Sequence, residues 1–162
     1  MKRITIMLTG MALLGLAIAV SQPVLAQSDP WLGTWQLNLA KSKYSPGPPP
    51  KSQTAKIEAE GQNHKVTVTG IDAAGKPTSG GFTRIFDGVS HAAANPNNPL
   101  FDAASITRVD SNTVIISRTK AGKLVQTVTT GVSQDGKTMT ISTTGIDANG
   151  RPINDISVLD KQ

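Results

Sequence analysis

The chain alternates from Thr34 onward. In TWQLNLA, Trp35, Leu37 and Leu39 fall on one face, with Gln36 and Asn38 on the other. In TAKIEAE, Ala55, Ile57 and Ala59 oppose Lys56, Glu58 and Glu60. HKVTVTG sets Val66 and Val68 against Lys65, Thr67 and Thr69, and GKTMTIST sets Met139 and Ile141 against Thr138, Thr140 and Ser142. A period of two is the mark of strands with one face buried and one wet, the pattern of antiparallel sheets. TVIISRT carries apolar residues on both faces, which predicts a strand around Ile115 covered twice.

Turn chemistry separates these runs. Glu60–Asn63, Asp72–Gly75, Asp87-Gly88, Asp110–Asn112, Ala121-Gly122, Asp135-Gly136 and Asp147–Gly150 each supply a side chain that bonds its own backbone, a glycine for the left-handed position, or both. The pattern predicts strands over 33–40, 53–60, 63–71, 76–87, 100–109, 112–120, 122–132, 136–146 and 151–160. Such a series reads as an all-β, antiparallel up-and-down meander of about eight or nine strands that closes into a barrel. One phrase occurs twice: TGIDAAGKP (Thr69–Pro77) and TGIDANGRP (Thr144–Pro152). Each copy ends a strand, turns through Asp and Gly, and opens the next strand on a proline. Proline at a strand's first residue removes no ladder bond. A calcium loop needs several acidic or amide ligands at alternating positions, and each copy offers one Asp. Gly75 and Gly150 are therefore expected to be structural turn residues at positive φ.

The amino end changes what counts as the domain. Met1-Lys2-Arg3 is cationic, Ile4–Val20 is uncharged and mostly apolar, and Val24-Leu25-Ala26 resembles a cleavage site. This is the layout of a secretory signal peptide, and the apolar run falls short of the ~20 residues of a membrane span. Residues 1–26 are read as a Sec-type leader and 27–162 as a single domain, placed in the periplasm or outside a bacterial cell with no stable membrane anchor after cleavage. Lys2 and Arg3 contribute two of the five net positive charges, and the other cations are scattered. A nucleic-acid surface needs a basic stripe with stacking aromatics, so that class is excluded. There is no cysteine, hence no disulfide framework and no lipid attachment at the leader.

Two stretches break the pattern. Tyr44–Ser52 (YSPGPPPKS) is too proline-rich for helix or central strand and reads as an extended segment crossing one barrel end. Val89–Pro99 (VSHAAANPNNP) is a long loop among short ones, and long loops in compact domains carry function. It contains Ser90 and His91 with Asp87 and Asp102 nearby, the residue types of a hydrolytic triad. A triad is defined by geometry rather than adjacency, and there is no Gly-x-Ser-x-Gly elbow. His64 and His91 are the only histidines. No catalytic residue, no metal and no cofactor is assigned.

LGTWQLNLAKSKY (Leu32–Tyr44) carries a resemblance. Gly33-x-Trp35 at the head of an antiparallel barrel resembles the opening strand of the calycin superfamily, the lipocalins and fatty-acid-binding proteins, and Val158–Lys161 (VLDK) is similar to their closing strand. GTW, AKSK and SPGP, with the DGKT turn and the repeated phrase, are also similar to bacterial exported lipocalin-like proteins. The resemblance implies a lipocalin-like barrel around a cavity for a small apolar ligand, with Gly33 and Trp35 structural at the closed end. The sequence departs from the family in three places. It lacks the mid-chain Thr-Asp-Tyr turn. Ser157 stands where calycins place an arginine against the tryptophan, with Arg84 or Arg118 as substitutes. The proline segment stands where fatty-acid-binding barrels carry a helical lid.

Few aromatics serve the core, and Val66, Val68, Val114, Ile116, Leu124, Val128, Met139, Ile141, Ile156 and Val158 are the other inward candidates. Small lining residues leave room inside a barrel of this size. Tyr44, Phe82, Phe86 and Phe101 are the candidate ligand contacts. A ligand is expected to enter between the proline segment and the Val89–Pro99 loop, both at the end opposite Trp35. Three functions stay open: a carrier or sensor of a small apolar molecule, a filled barrel acting as an envelope interaction module, and, with least support, an enzyme.

Overall fold

The alternating runs are strands in a computed structural model that describes residues 29–95 and 97–162; the signal-peptide reading lies on residues outside these. The strands are β1 (Gly33–Leu37), β2 (Ser52–Glu60), β3 (Asn63–Ile71), β4 (Pro77–Arg84), β5 (Ser90–Ala92), β6 (Ala103–Arg108), β7 (Thr113–Lys120), β8 (Lys123–Val132), β9 (Thr138–Ile146) and β10 (Pro152–Lys161). They form one antiparallel sheet in the order β4-β3-β2-β1-β10-β9-β8-β7-β6-β5. First and last strands pair through Trp35↔Lys161 and Leu37↔Leu159. The sheet curls into a half-barrel whose two hydrogen-bonding edges are β4 and β5.

The inner face holds Trp35, Leu37, Ile57, Val66, Val114, Val128, Met139 and Leu159, all in one buried cluster. Trp31 and Trp35 are 0 % exposed. Trp35 Nε1 donates to the Trp31 carbonyl at 2.9 Å, and Trp31 Nε1 donates to the Ser111 carbonyl at 2.8 Å. The two indoles thus close one end of the half-barrel. The cation over the Trp35 ring, 5.0 Å from its centre, is Lys161 of the closing strand, while Arg84 stacks over Trp31 at 5.2 Å. The place left by Ser157 is therefore filled from further along β10.

Strand directions place the proline segment, Asp72–Lys76, residues 93–95 and 97–102, and Asp147–Arg151 at the opposite end. The Val89–Pro99 stretch reaches it because its first part forms a strand, β5, that crosses the sheet once more. The proline segment lies along β10: Tyr44 Oη is 2.8 Å from Ser157 Oγ, and the Ser45 N–H donates to Asp155 at 2.9 Å.

Several inward assignments are corrected. Leu39 is exposed because Asn38 caps a 3-10 turn, Leu39–Lys41, that ends β1 early. Leu124 is 63 % exposed. The β7–β8 register jumps from Arg118↔Gln126 to Thr119↔Leu124, so Val125 is a bulge. One extra residue flips the side-chain phase, and Gln126, Val128, Thr130 and Val132 alternate inward only beyond it. On β10, Leu159 faces the core opposite Leu37 and Met139. That phase puts Ile156 and Val158 on the outer face, with Val158 under the Asn38–Ser42 segment. Ile115 is half-buried rather than enclosed on both faces.

The repeated phrase has one structural explanation. In both copies the Asp carboxylate accepts the N–H of the residue four along, Lys76 at 2.8 Å and Arg151 at 2.9 Å, and the turn glycines have φ of +90° (Gly75) and +76° (Gly150). The glycine that precedes each turn is needed for a different reason. A Cβ on Gly70 would collide with the Ser52 carbonyl, and one on Gly145 with the Val125 carbonyl at the bulge.

Candidate functional site

β4 and the β5–β6 hairpin are not hydrogen-bonded to each other, and the gap between them opens into a cavity of ≈ 210 Å³. Phe82 and Ile85 wall it on the β4 side. Phe101, Ala104, Ile106 and Ile116 wall it on the other, and Ala92–Asn95 with Asn98 form the rim. The lining is mostly apolar because β6 and β7 turn their core-facing residues into the gap.

Register brings the polar groups together. His91 pairs with Ala104, Ala104 with Arg118, and Arg118 with Gln126, so one row crosses four strands on the inner face. Strands lie about 4.8 Å apart, and Ala104 leaves an unfilled step between His91 and Arg118. A molecule seated over Ala104 touches both. Arg118 Nη1 donates to Gln126 Oε1 at 2.8 Å, and Gln126 Nε2 donates to the Ile146 carbonyl at 2.9 Å. That chain fixes the guanidinium over the Phe101 ring, 4.8 Å from its centre. Burial pulls the Arg118 pKa below its usual value, and no carboxylate lies within salt-bridge distance of it among the described residues.

At the rim, His91 Nε2 is 2.9 Å from Asp87 Oδ2. Asp87 also accepts the Val89 N–H at 2.9 Å; this bond first, and His91 second, hold its carboxyl below the usual range. Ser90 precedes His91 on the same strand and so faces the other way, while Asp102 accepts the Ala121 N–H at 2.9 Å. The Ser–His–Asp residue types of this stretch are therefore not assembled into a triad. Among the described residues, no group of three His, Asp or Glu side chains is placed to hold a metal ion.

Of the four aromatic candidates, Phe82 and Phe101 line the cavity. Tyr44 binds Ser157 on β10, and Phe86 lies at the tryptophan end, 4.2 Å under Arg108 and edge-on to His64. No residue of the proline segment lines the cavity, so the way in is the β4–β5 gap and not the space beside Tyr44–Ser52. Sequence reasoning missed Arg118 and His91 as partners. Each pattern was visible, but only strand register places them in one row.

No family model matches the chain, and no curated protein sequence matches it. Solved structures do. Zebrafish ileal bile acid-binding protein, in a complex with cholic acid, superposes with a TM-score of 0.54 at 15% sequence identity, over 82% of this chain and 99% of that one. At that identity the likeness speaks for the fold. The chain has the half-barrel fold of that bile acid-binding protein, an all-β antiparallel meander of the kind to which Gly33-x-Trp35 and the strand pattern pointed.

Proposed function

We propose that the cavity behind the β4–β5 gap binds a small, mainly apolar molecule with an acidic group, and that the protein is an exported carrier or sensor of that molecule. The observation that carries this reading is Arg118: a partly buried cation without a carboxylate partner, held by Gln126 against an apolar wall. A cation in such surroundings is costly unless an anion meets it. The volume sets the size. A dry cavity of about 150 Å³ takes up one benzene, and drug-sized ligands need about 300 Å³ or more. At ≈ 210 Å³ the ligand is a single ring or a short chain, smaller than the cholic acid of the zebrafish complex. The leader at residues 1–26 supports an address outside the cytoplasm.

Calorimetric titration with benzoate and with benzyl alcohol tests the reading. Benzoate is expected to bind at least tenfold more tightly than the alcohol, and Arg118→Met to erase the difference. Absence of saturable binding of either compound to the unaltered protein refutes it.

A further inference from the structure

The tryptophan end holds a second cationic cluster, none of whose arginines lines the cavity. Arg84 ends β4 and Arg108 ends β6, both at the Trp31 end of the β4–β5 gap and near enough for the charge of Arg108 to act on Arg84. His64 pairs with Arg84 across β3 and β4. Arg84 is only 4 % exposed, and its Nε and Nη1 have no hydrogen-bond partner among the described residues. Arg108 Nε and His64 Nδ1 are buried and unpartnered in the same cluster. Four such atoms in one place is a concentration of unmet polar demand, where native interiors satisfy most buried polar groups.

The charges do not balance either. Asp29, the one carboxylate bonded to this cluster among the described residues, is already engaged. Its Oδ1 accepts the Trp31 N–H at 3.0 Å, its Oδ2 meets His64 Nε2 at 2.8 Å, and Arg108 Nη2 stands 3.6 Å off. No carboxylate among the described residues forms a salt bridge with Arg84, and residues 1–28 contain no Asp or Glu that could supply one. Burial, reinforced by the charge of Arg108, lowers the Arg84 pKa to about 10. That value still leaves it charged at neutral pH. Arg108 Nη2 also lies 3.0 Å from His64 Nε2. That nitrogen cannot both donate to Asp29 and accept from Arg108. The shorter contact, to Asp29, takes the proton, and Arg108 is left facing another donor.

We propose that a small anion, a halide or a single carboxylate group, binds between Arg84 and Arg108 beneath the Asp29–Trp31 segment. It would accept from the free guanidinium nitrogens, neutralise the surplus positive charge and draw Arg108 away from His64 Nε2. Asp29, Pro30, Arg108, Ser111 and Asn112 line a polar opening of ≈ 280 Å³ that leads from solvent to Arg108. The site is independent of the apolar cavity and shares no lining residue with it.

The test uses the full chain at constant ionic strength and follows the thermal midpoint while sodium chloride, or in a second arm sodium acetate, replaces sodium isethionate, a bulky sulfonate that is neither halide nor carboxylate. A saturable rise of several degrees at millimolar anion is expected, at least tenfold weaker in Arg84→Met and in Arg108→Gln but intact in Lys123→Met, which removes an exposed cation at the opposite end. The arm that saturates at the lower concentration tells halide from carboxylate. In isethionate alone Arg84→Met should be no less stable than the unaltered protein, because a buried uncompensated charge has been removed. Crystals soaked in bromide or in bromoacetate should show an anomalous peak between the two guanidinium groups. An equal anion response in Arg84→Met and the unaltered protein, or a site holding only water in both bromide and bromoacetate, overturns the proposal.

Discussion

Replacing Gly145 with alanine should cost far more than the same change at Gly150, although both glycines belong to one repeated phrase. Gly150 has φ of +76°, and an added methyl would meet nothing within 4 Å, so its penalty is backbone strain alone. That strain is about 1–2 kcal/mol, offset by about 0.4–1 kcal/mol as the unfolded chain loses freedom, which leaves about 1 kcal/mol. Gly145 has φ of +136°, and its methyl would meet the Val125 carbonyl and stand 2.8 Å from the Gln126 Cα. Both obstacles are backbone of the neighbouring strand at its bulge. Forced overpacking adds about 1–3 kcal/mol to the same net strain of about 1 kcal/mol, for a total of about 2–4 kcal/mol. At roughly 4 °C per kcal/mol for a domain of this size, the midpoint should fall by roughly 8–16 °C. Urea titration of both variants, read by tryptophan fluorescence, gives the difference directly. If Gly145→Ala were no costlier than Gly150→Ala, the close approach of β8 to β9 would not be what demands a glycine there, and the structural reading of the repeat would fail.

Two further outcomes follow from the closed end. Trp35→Phe should destabilise by about 1–3 kcal/mol yet leave benzoate affinity unchanged, because Trp35 lies in the core cluster and not on the cavity wall; a shift in affinity above threefold contradicts this placement. His64 is buried among Asp29, Arg84, Arg108 and Phe86, and burial holds its pKa below the usual value despite the opposing pull of Asp29. A depressed folded pKa means that stability is complete above the unfolded value of about 6.5 and is lost as pH falls through the lower folded value. The urea midpoint should therefore decline between pH 7 and 5 in the unaltered protein and flatten in His64→Gln; equal slopes refute the assignment.

Much of the fold was legible because half-buried strands write themselves in alternation and the turns carry Asp and Gly at the positions that need them. Trp35 and the repeated turns fall where pattern and turn chemistry put them. The misses share a physical origin. Leu124 and Val125 are both apolar, so a bulge that selects one over the other leaves no mark in a binary pattern. Ile156, Val158 and Leu159 likewise offer two phases, and only pairing with Leu37 and Met139 chooses between them. β5 is three residues long, too short for a period to register. The cavity depends on which two strands fail to pair, a property of the whole sheet. Hence Phe82 and Phe101 were nameable as aromatic candidates, while Arg118, Gln126 and His91 became a site only through cross-strand register. The Arg84–Arg108–His64 cluster joins residues from β3, β4 and β6 and was invisible for the same reason.

A crystal structure of the protein soaked with 4-bromobenzoate addresses the central claim most directly. One anomalous bromine peak is expected inside the β4–β5 gap, among Phe82, Ile106 and Ile116, with the carboxylate on the Arg118 guanidinium. An empty cavity at saturating compound, or a ring bound with its carboxylate turned away from Arg118, would contradict it.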